Sequence, residues 1–298
     1  MSAKKPDLSI VILSFNTKDL LKNLLLSIKE SRLKNFIIEI IVVDNGSSDG
    51  TKEMLKEKFK WVKLIVSPKN LGYAAGNNLG IKQALGRYLL LLNSDTKILP
   101  ETFLRMIKFM DENPQAAAAT CKIELPSGKL DKACHRGFPT PWAALTYFSG
   151  LETLFPQSKL FSQYHQGWKG LRKIHQIDSP SGAFFMVKKE VVKDIGLLDE
   201  KFFMYAEDLD WAYRMKKKGY RIFYYPHTKI IHYKKQSGRK RGGGKKVTRK
   251  EKIIREKSKK YFFGTMRLFY DKHYKNKYPW ILRQLVLLGI RIVSKFKD

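Results

Sequence analysis

Asn93-Ser94-Asp95 follows directly on the apolar run Tyr88-Leu89-Leu90-Leu91-Leu92, and much later Glu207-Asp208-Leu209-Asp210 crowds three carboxylates into four residues at the entry to a helical stretch. A carboxylate at the end of a buried strand is how an open α/β sheet holds a divalent metal at its carboxyl edge. A second carboxylate cluster, delivered from elsewhere in the chain, can supply a general base. Together they point to metal-assisted group transfer from a phosphorylated donor. Asp95 is the metal-ligand candidate, and Asn93 offers a neutral oxygen to metal or ribose. In the second cluster, mutual repulsion raises at least one pKa unless a cation compensates. Arg214 lies four residues after Asp210 and can pair with it on a helix face. That leaves Asp208 free to face the site. The competing readings are a helix cap for Asp95 and a solvated acidic helix start for the cluster, favoured by the helix dipole.

Three further features have the right chemistry. Asp44 ends the apolar run Ile40-Ile41-Val42-Val43 and can accept hydrogen bonds from a base N–H or a ribose hydroxyl, or merely cap its turn. Asn70-Leu71-Gly72-Tyr73-Ala74-Ala75-Gly76-Asn77-Asn78-Leu79-Gly80 is rich in glycine and small residues, which lets backbone approach phosphate closely. Its spacing is not Gly-x-Gly-x-x-Gly and no Gly-Lys-Ser/Thr follows, so nicotinamide and P-loop readings are weak. His227 and His232 flank the last strand of the core; taken alone, such a histidine is more often structural than a ligand.

The elements that must position these residues alternate strand and helix. Strands are expected at Leu8–Leu13, Glu39–Val43, Val62–Val66 and Tyr88–Leu92, and later at Gly182–Val187, near Arg221–Tyr225 and at Lys229–Tyr233. Helices are expected from Thr17, with Leu20, Leu21, Leu24, Leu25 and Ile28 on one face, around Leu79–Ala84, from Pro100 as first helical residue to about Glu112, and over Glu207–Lys217. Such alternation implies an α/β fold, a mixed, mostly parallel sheet flanked by helices. The stretch from about Lys122 to Ile177 is less regular.

Composition bounds the partners. The 298-residue chain carries a net charge of +31 with 43% hydrophobic residues. That field favours anionic partners: nucleic acid, acidic lipid or nucleotide-linked substrates. Two cysteines, Cys121 and Cys134, make no disulfide framework, which fits a cytoplasmic setting. The N-terminal residues lack a signal-peptide core, and no run long enough to span a bilayer occurs. Residues 234–260 are densely basic, with Gly242-Gly243-Gly244 in their midst, and are expected to be mobile until a ligand binds. From Trp280 to Asp298, Ile281, Leu282, Leu285, Val286, Leu288, Ile292, Val293 and Phe296 share one side of a helix. Arg283, Gln284, Arg291, Ser294, Lys295 and Asp298 share the other. That is the pattern of a helix lying on an anionic membrane surface, or packing on the core or a second copy.

Taken together, the motifs resemble inverting glycosyltransferases of family 2, with the GT-A fold. They are Val11-Ile12-Leu13-Ser14-Phe15-Asn16, Val42 to Thr51, Asn70-Leu71-Gly72 with Asn77-Asn78, Leu91 to Asp95, Gly182 to Val187, Gly196 to Glu200 and Phe203 to Asp210, in family order over about residues 8–235. The flavour is closest to the rhamnosyltransferase-like branch that builds bacterial surface polysaccharides. The resemblance implies a GT-A (Rossmann-like) catalytic domain over 1–235, its nucleotide-binding half about 1–120 and its acceptor half about 121–235. The remaining 236–298 form a basic loop and amphipathic helical extension. It implies a nucleoside-diphosphate sugar as donor, a divalent metal (Mg or Mn) and a saccharide or lipid-linked acceptor. Asp208 would be the catalytic base with Glu207 beside it. Asn16, Asp44, Asn45, Gly72, Asn77, Asn93 and Ser94 would line the donor, and Asp95 and His232 would bind the metal. Asn93 departs from the commoner Asp-x-Asp form of the metal motif. The protein would work in the cytoplasm, peripheral on the inner face of the membrane; self-association is left open.

Two other classes compete. A nucleic-acid-binding protein would interleave aromatic residues with the basic ones on a defined module, and residues 234–257 do not; no nucleic acid is expected as partner. A catalytically dead scaffold of the same fold is opposed by the intact Asp44, Asp95 and Asp208.

Overall fold

The structure, a computed structural model, describes residues 4–234 and 249–296. The middle of the basic stretch, 235–248, lies outside them, and with it most of the segment expected to be mobile. The first half alternates as expected: β1 (Leu8–Ser14), α1 (Lys18–Lys29), β2 (Ile38–Asp44), α2 (Thr51–Lys58), β3 (Lys63–Val66), α3 (Tyr73–Gln83) and β4 (Tyr88–Asn93). These strands pair in parallel in the order β3-β2-β1-β4. β1 and β4 are covered on both faces, which is why they read as unbroken apolar runs rather than alternating ones.

The chain then makes β5 (Thr96–Ile98), α4 (Thr102–Glu112) and β6 (Ala116–Glu124), followed by a 3-10 turn at Lys132–Cys134 and two short helices, α5 (Pro141–Phe148) and α6 (Leu151–Leu154). β7 (His175–Ile177), β8 (Phe184–Lys188), α7 (Lys189–Ile195), α8 (Glu207–Lys217) and β9 (Arg221–His232) complete the sheet, which continues β4-β8-β6-β9-β5 with β7 also on β9. β8 is antiparallel to both β4 and β6, and β9 is parallel to β6, so only β5, β7 and β8 oppose the common direction. The result is a mixed sheet flanked by helices.

Three expectations are corrected. The two last strands are one: β9 runs from Arg221 to His232 and bulges where its pairing with β6 jumps from Tyr225 to Lys229. Pro226 sits in that bulge, where its missing N–H leaves no gap in the ladder. Pro100 is not the first helical residue but precedes the N-cap, Glu101. β6 lies where no strand was expected, because Ala116-Ala117-Ala118-Ala119 has poor intrinsic strand propensity and forms one only by being buried in the sheet centre.

The C-terminal part is helical, as α9 (Arg249–His273) and α10 (Trp280–Phe296). α9 shares a second apolar core with the catalytic part: Phe269, Tyr270 and, just beyond the helix, Tyr274 pack with Phe202 and Leu209.

Candidate active site

The carboxyl ends of β1, β2 and β4 come together through side-chain bonds between their loops. Asn16 adopts a left-handed backbone (φ 54°), and its Oδ1 accepts from the Ser48 backbone N–H at 2.8 Å. Asp44 is buried and accepts from the Ser47 N–H at 3.2 Å, so it does cap its turn. Asn45 donates to Asn70 Oδ1 (3.0 Å) and the Gly72 carbonyl (3.2 Å) and accepts from the Leu71 N–H (3.0 Å). Asn77 donates to the Tyr73 carbonyl at 2.9 Å. Gly72 has φ 86°, and a Cβ there would lie 2.5 Å from the Phe203 carbonyl oxygen. Asn45, Gly72 and Asn77, expected to line the donor, make these bonds and this close approach at the loop that joins β3 to α3. Ser94 Oγ lies 2.9 Å from Thr17 Oγ1, which ties β4 to the start of α1.

Asp95 and His232 meet across β5 and β9, whose register sets Thr96 opposite His232. His232 Nε2 is 3.2 Å from Asp95 Oδ1, and its Nδ1 is 2.8 Å from Asp131 Oδ2, whose other oxygen accepts from Lys234 at 2.7 Å. Burial alone would lower the His232 pKa; Asp131 and Asp95 outweigh it and raise it to about 9. Burial likewise works against ionised Asp131, and His232 with Lys234 overcomes it to hold that carboxyl well below its usual range. Among the described residues no group of three His, Cys, Asp or Glu is arranged to hold a metal. One carboxylate and one imidazole fit an ion that takes its remaining ligands from a diphosphate and water. An Asp131 carboxylate on Nδ1 is the outer-shell partner that aims Nε2 at such an ion.

The second cluster is joined to the first by hydrogen bonds. Tyr73 Oη lies 3.0 Å from Asn93 Oδ1 and 3.0 Å from the Gly182 carbonyl oxygen. The Gly182 N–H donates to Asp208 Oδ2 at 3.1 Å. Burial of the Tyr73 hydroxyl, then the charges of Glu207, Asp208 and Asp95, push its pKa well up. The sequence left Asp208 free to face the site, and here the structure differs: buried Arg136 donates to its Oδ2 at 2.8 Å, and the Leu209 N–H to its Oδ1 at 2.7 Å. With Gly182 that makes three donors, so about one of the four lone-pair positions of a carboxylate remains. Glu207 is buried with Oε2 unpartnered. Burial first, then the charge of Asp208, raises its pKa. A carboxyl raised in this way can keep its proton and donate a hydrogen bond from that site.

Asp210 takes a different part. It pairs with Arg214 at 2.9 Å, as the spacing predicts, and also with Lys272 (2.6 Å) and His273 (2.7 Å) of α9. Its role is to dock α9. Sequence reasoning missed Arg136, Asp131 and Tyr73 as site residues. Tyr73 stood inside a motif, but Arg136 and Asp131 fall in the irregular stretch, where no periodicity marks them.

The glycosyl transferase family 2 model matches residues 9–196. The N-acetylglucosaminyl-diphospho-decaprenol L-rhamnosyltransferase of Mycobacterium tuberculosis is 24% identical over 221 residues, covering 67% of this chain and 68% of its own length. The low-salt glycan biosynthesis hexosyltransferase Agl10 of Haloferax volcanii is 26% identical over 220 residues, covering 72% of this chain and 64% of its own. The structure of S. aureus TarS 1–349 in complex with UDP-GlcNAc superposes with a TM-score of 0.54 at 19% identity, over 97% of this chain and 72% of that one. That of GalNAc-T7 with UDP, GalNAc and Mn2+ superposes with 0.56 at 15% identity, over 78% and 44%. These two likenesses concern the fold; the family model, spanning more than half of the residues, fixes the kinship. The chain belongs to glycosyl transferase family 2.

Proposed function

We propose that the protein transfers a sugar, with inversion, from a nucleoside-diphosphate sugar to a hydroxyl of a saccharide or lipid-linked acceptor in cell-surface polysaccharide assembly. The observation that carries this reading is the bond chain Asn93–Tyr73–Gly182–Asp208, which ties the end of β4 to the start of α8 and supports a single site shared by the two clusters. Asp44, Asn16, Asn93 and Ser94 stand at the strand ends where a nucleotide would lie. Asp95 and His232 would hold a divalent cation, which neutralises charge on a departing diphosphate. As a ligand, His232 would bind such a cation through its neutral imidazole.

Asp208 accepts the acceptor's hydroxyl proton as that oxygen bonds to the anomeric carbon. The bond from that carbon to the diphosphate oxygen breaks, and its electron pair leaves with the nucleoside diphosphate. Glu207, protonated and with its Oε2 unpartnered, donates a hydrogen bond to the incoming sugar. The exposed apolar side of α10 rests on the inner, anionic face of the cytoplasmic membrane, where a lipid-linked acceptor would be presented. The relatives named above for a diphospho-decaprenol acceptor and for glycan biosynthesis support this reading.

The test is turnover. Wild-type protein with Mn2+ is offered a panel of nucleoside-diphosphate sugars, and released diphosphate and product anomer are measured. Asp208→Asn is expected to bind donor normally and lose about 10²–10⁴-fold in transfer. Near wild-type turnover in that variant removes Asp208 from the role, and a retained anomeric configuration overturns the single displacement.

A further inference from the structure

Residues 137–174 stand off the sheet as a lobe built on α5 and α6. Its base is sewn to the catalytic acids. The Arg136 N–H donates to the Ser179 carbonyl (3.2 Å), the Asp178 N–H to the Arg136 carbonyl (3.1 Å), and the Arg136 side chain carries Asp208. Within the lobe the polar groups are largely satisfied: buried Glu152 accepts from the His165 ring (2.7 Å) and backbone N–H (3.1 Å).

The outer side is apolar and uncovered. Leu145 is 56% exposed, Leu154 72%, Phe155 50% and Leu160 55%. Trp142 and Phe155 both lie against Phe161, at ring-centroid distances of 6.2 and 5.3 Å, and the Trp142 indole N–H donates to the Leu160 carbonyl at 2.8 Å. The rings and leucines therefore share one surface. Scattered apolar residues are ordinary on a protein surface, but a contiguous group marks a binding face.

Charge selects the occupant. The exposed charged residues of the lobe are Lys159, Arg172 and Lys173, all cationic, and its one acid, Glu152, is buried. A second copy of this chain would set cations against cations in a molecule of net charge +31. Exposed aromatic and aliphatic side chains on a lobe whose exposed charges are all cationic match the interface of an anionic bilayer.

We propose that this lobe is a membrane-docking surface, with Trp142, Leu145, Leu154, Phe155 and Leu160 entering the interfacial layer and the lobe's lysine and arginine side chains drawn to anionic headgroups. It is a contact separate from α10 and rooted at the base Asp208, so it presents the acceptor side of the site to the bilayer. The proposal deepens the transferase reading by locating where a membrane-borne acceptor arrives, and vesicle binding is read without donor or turnover, so the two fail separately.

The experiment is co-sedimentation of the full-length protein with vesicles of phosphatidylcholine alone and with phosphatidylglycerol added. The wild type is compared with L154E/F155E, with L285E/L288E on α10, and with all four changes combined. All sites are exposed, and circular dichroism verifies folding. The lobe variant is expected to bind anionic vesicles about tenfold or more weakly, and the fourfold variant more weakly than either pair. Unchanged binding in the lobe variant, in both the wild-type and the α10-altered background, overturns the proposal. So does a lobe variant that binds vesicles like the wild type but loses a dimer seen by light scattering, since the lobe then joins two copies.

Discussion

His232 has a carboxylate on each ring nitrogen, Asp131 at 2.8 Å and Asp95 at 3.2 Å, and the two acids carry different work. Asp95 would bind the metal, so Asp95→Ala is expected to abolish Mn2+-dependent binding of nucleoside diphosphate; unchanged affinity by calorimetry would put the metal elsewhere. Asp131 would aim the imidazole from its other ring nitrogen, while its second oxygen accepts from Lys234. Asp131→Asn should weaken Mn2+ binding, in the presence of UDP, by about 10–100-fold, the usual effect of removing an outer-shell partner. Paramagnetic resonance of free Mn2+ measures it without any assay of transfer. Gly72→Ala addresses a steric constraint instead. Its left-handed φ and the 2.5 Å approach to the Phe203 carbonyl predict a loss of about 1–3 kcal/mol in urea unfolding, with the loop that joins β3 to α3 displaced.

At the scale of elements, α8 and α9 are joined through Asp210. Burial resists its ionisation, but hydrogen bonds from His273 and Lys272 and the charge of Arg214 bring its pKa down to about 2. A depressed carboxyl pKa stabilises the fold fully above the ordinary value of about 3.9 and ceases to as pH falls through the folded one. Amide protection near Phe269–Tyr274 is therefore expected to fall between about pH 4 and pH 2, measured by hydrogen exchange. Asp210→Asn should loosen the same residues at neutral pH while β1 and β4 stay protected. If α9 stays as protected as the sheet in that variant, the apolar contacts alone dock it. The loop ahead of α8 is held from both sides: the Tyr73 N–H donates to the Phe203 carbonyl at 2.6 Å, and the Phe203 ring stacks on Tyr261 of α9 at 4.8 Å. Helix α8 itself matched its sequence reading residue for residue, because acids in its first turn, cations in its last and the apolar period agree there.

For the whole molecule, no helix among the described residues is long and apolar enough to cross a membrane. α10 leaves Trp280, Ile281, Leu285, Leu288 and Ile292 exposed, while Arg283 turns to Asp271 at 3.0 Å and Val286 packs toward the α9 core. The helix therefore both rests on the molecule and shows an apolar stripe to the outside. A version ending at Tyr278 is expected to lose binding to anionic vesicles relative to the full chain; equal binding would remove α10 as an anchor. The sequence by itself determined the order of the α/β elements, the strand-end carboxylates Asp44 and Asp95, the acidic pair Glu207 and Asp208, and kinship with family 2. Those follow from local period and motif spacing, which a chain carries along its length. Only the tertiary structure decided that Tyr73 joins the two acid clusters, that Arg136 grips Asp208, that Asp131 steadies His232, and that Asp210 faces α9 and not the site. Each of these is a meeting of residues 63 to 109 positions apart. The distances are set by sheet register and buried charge pairing, which leave no periodic mark in the chain.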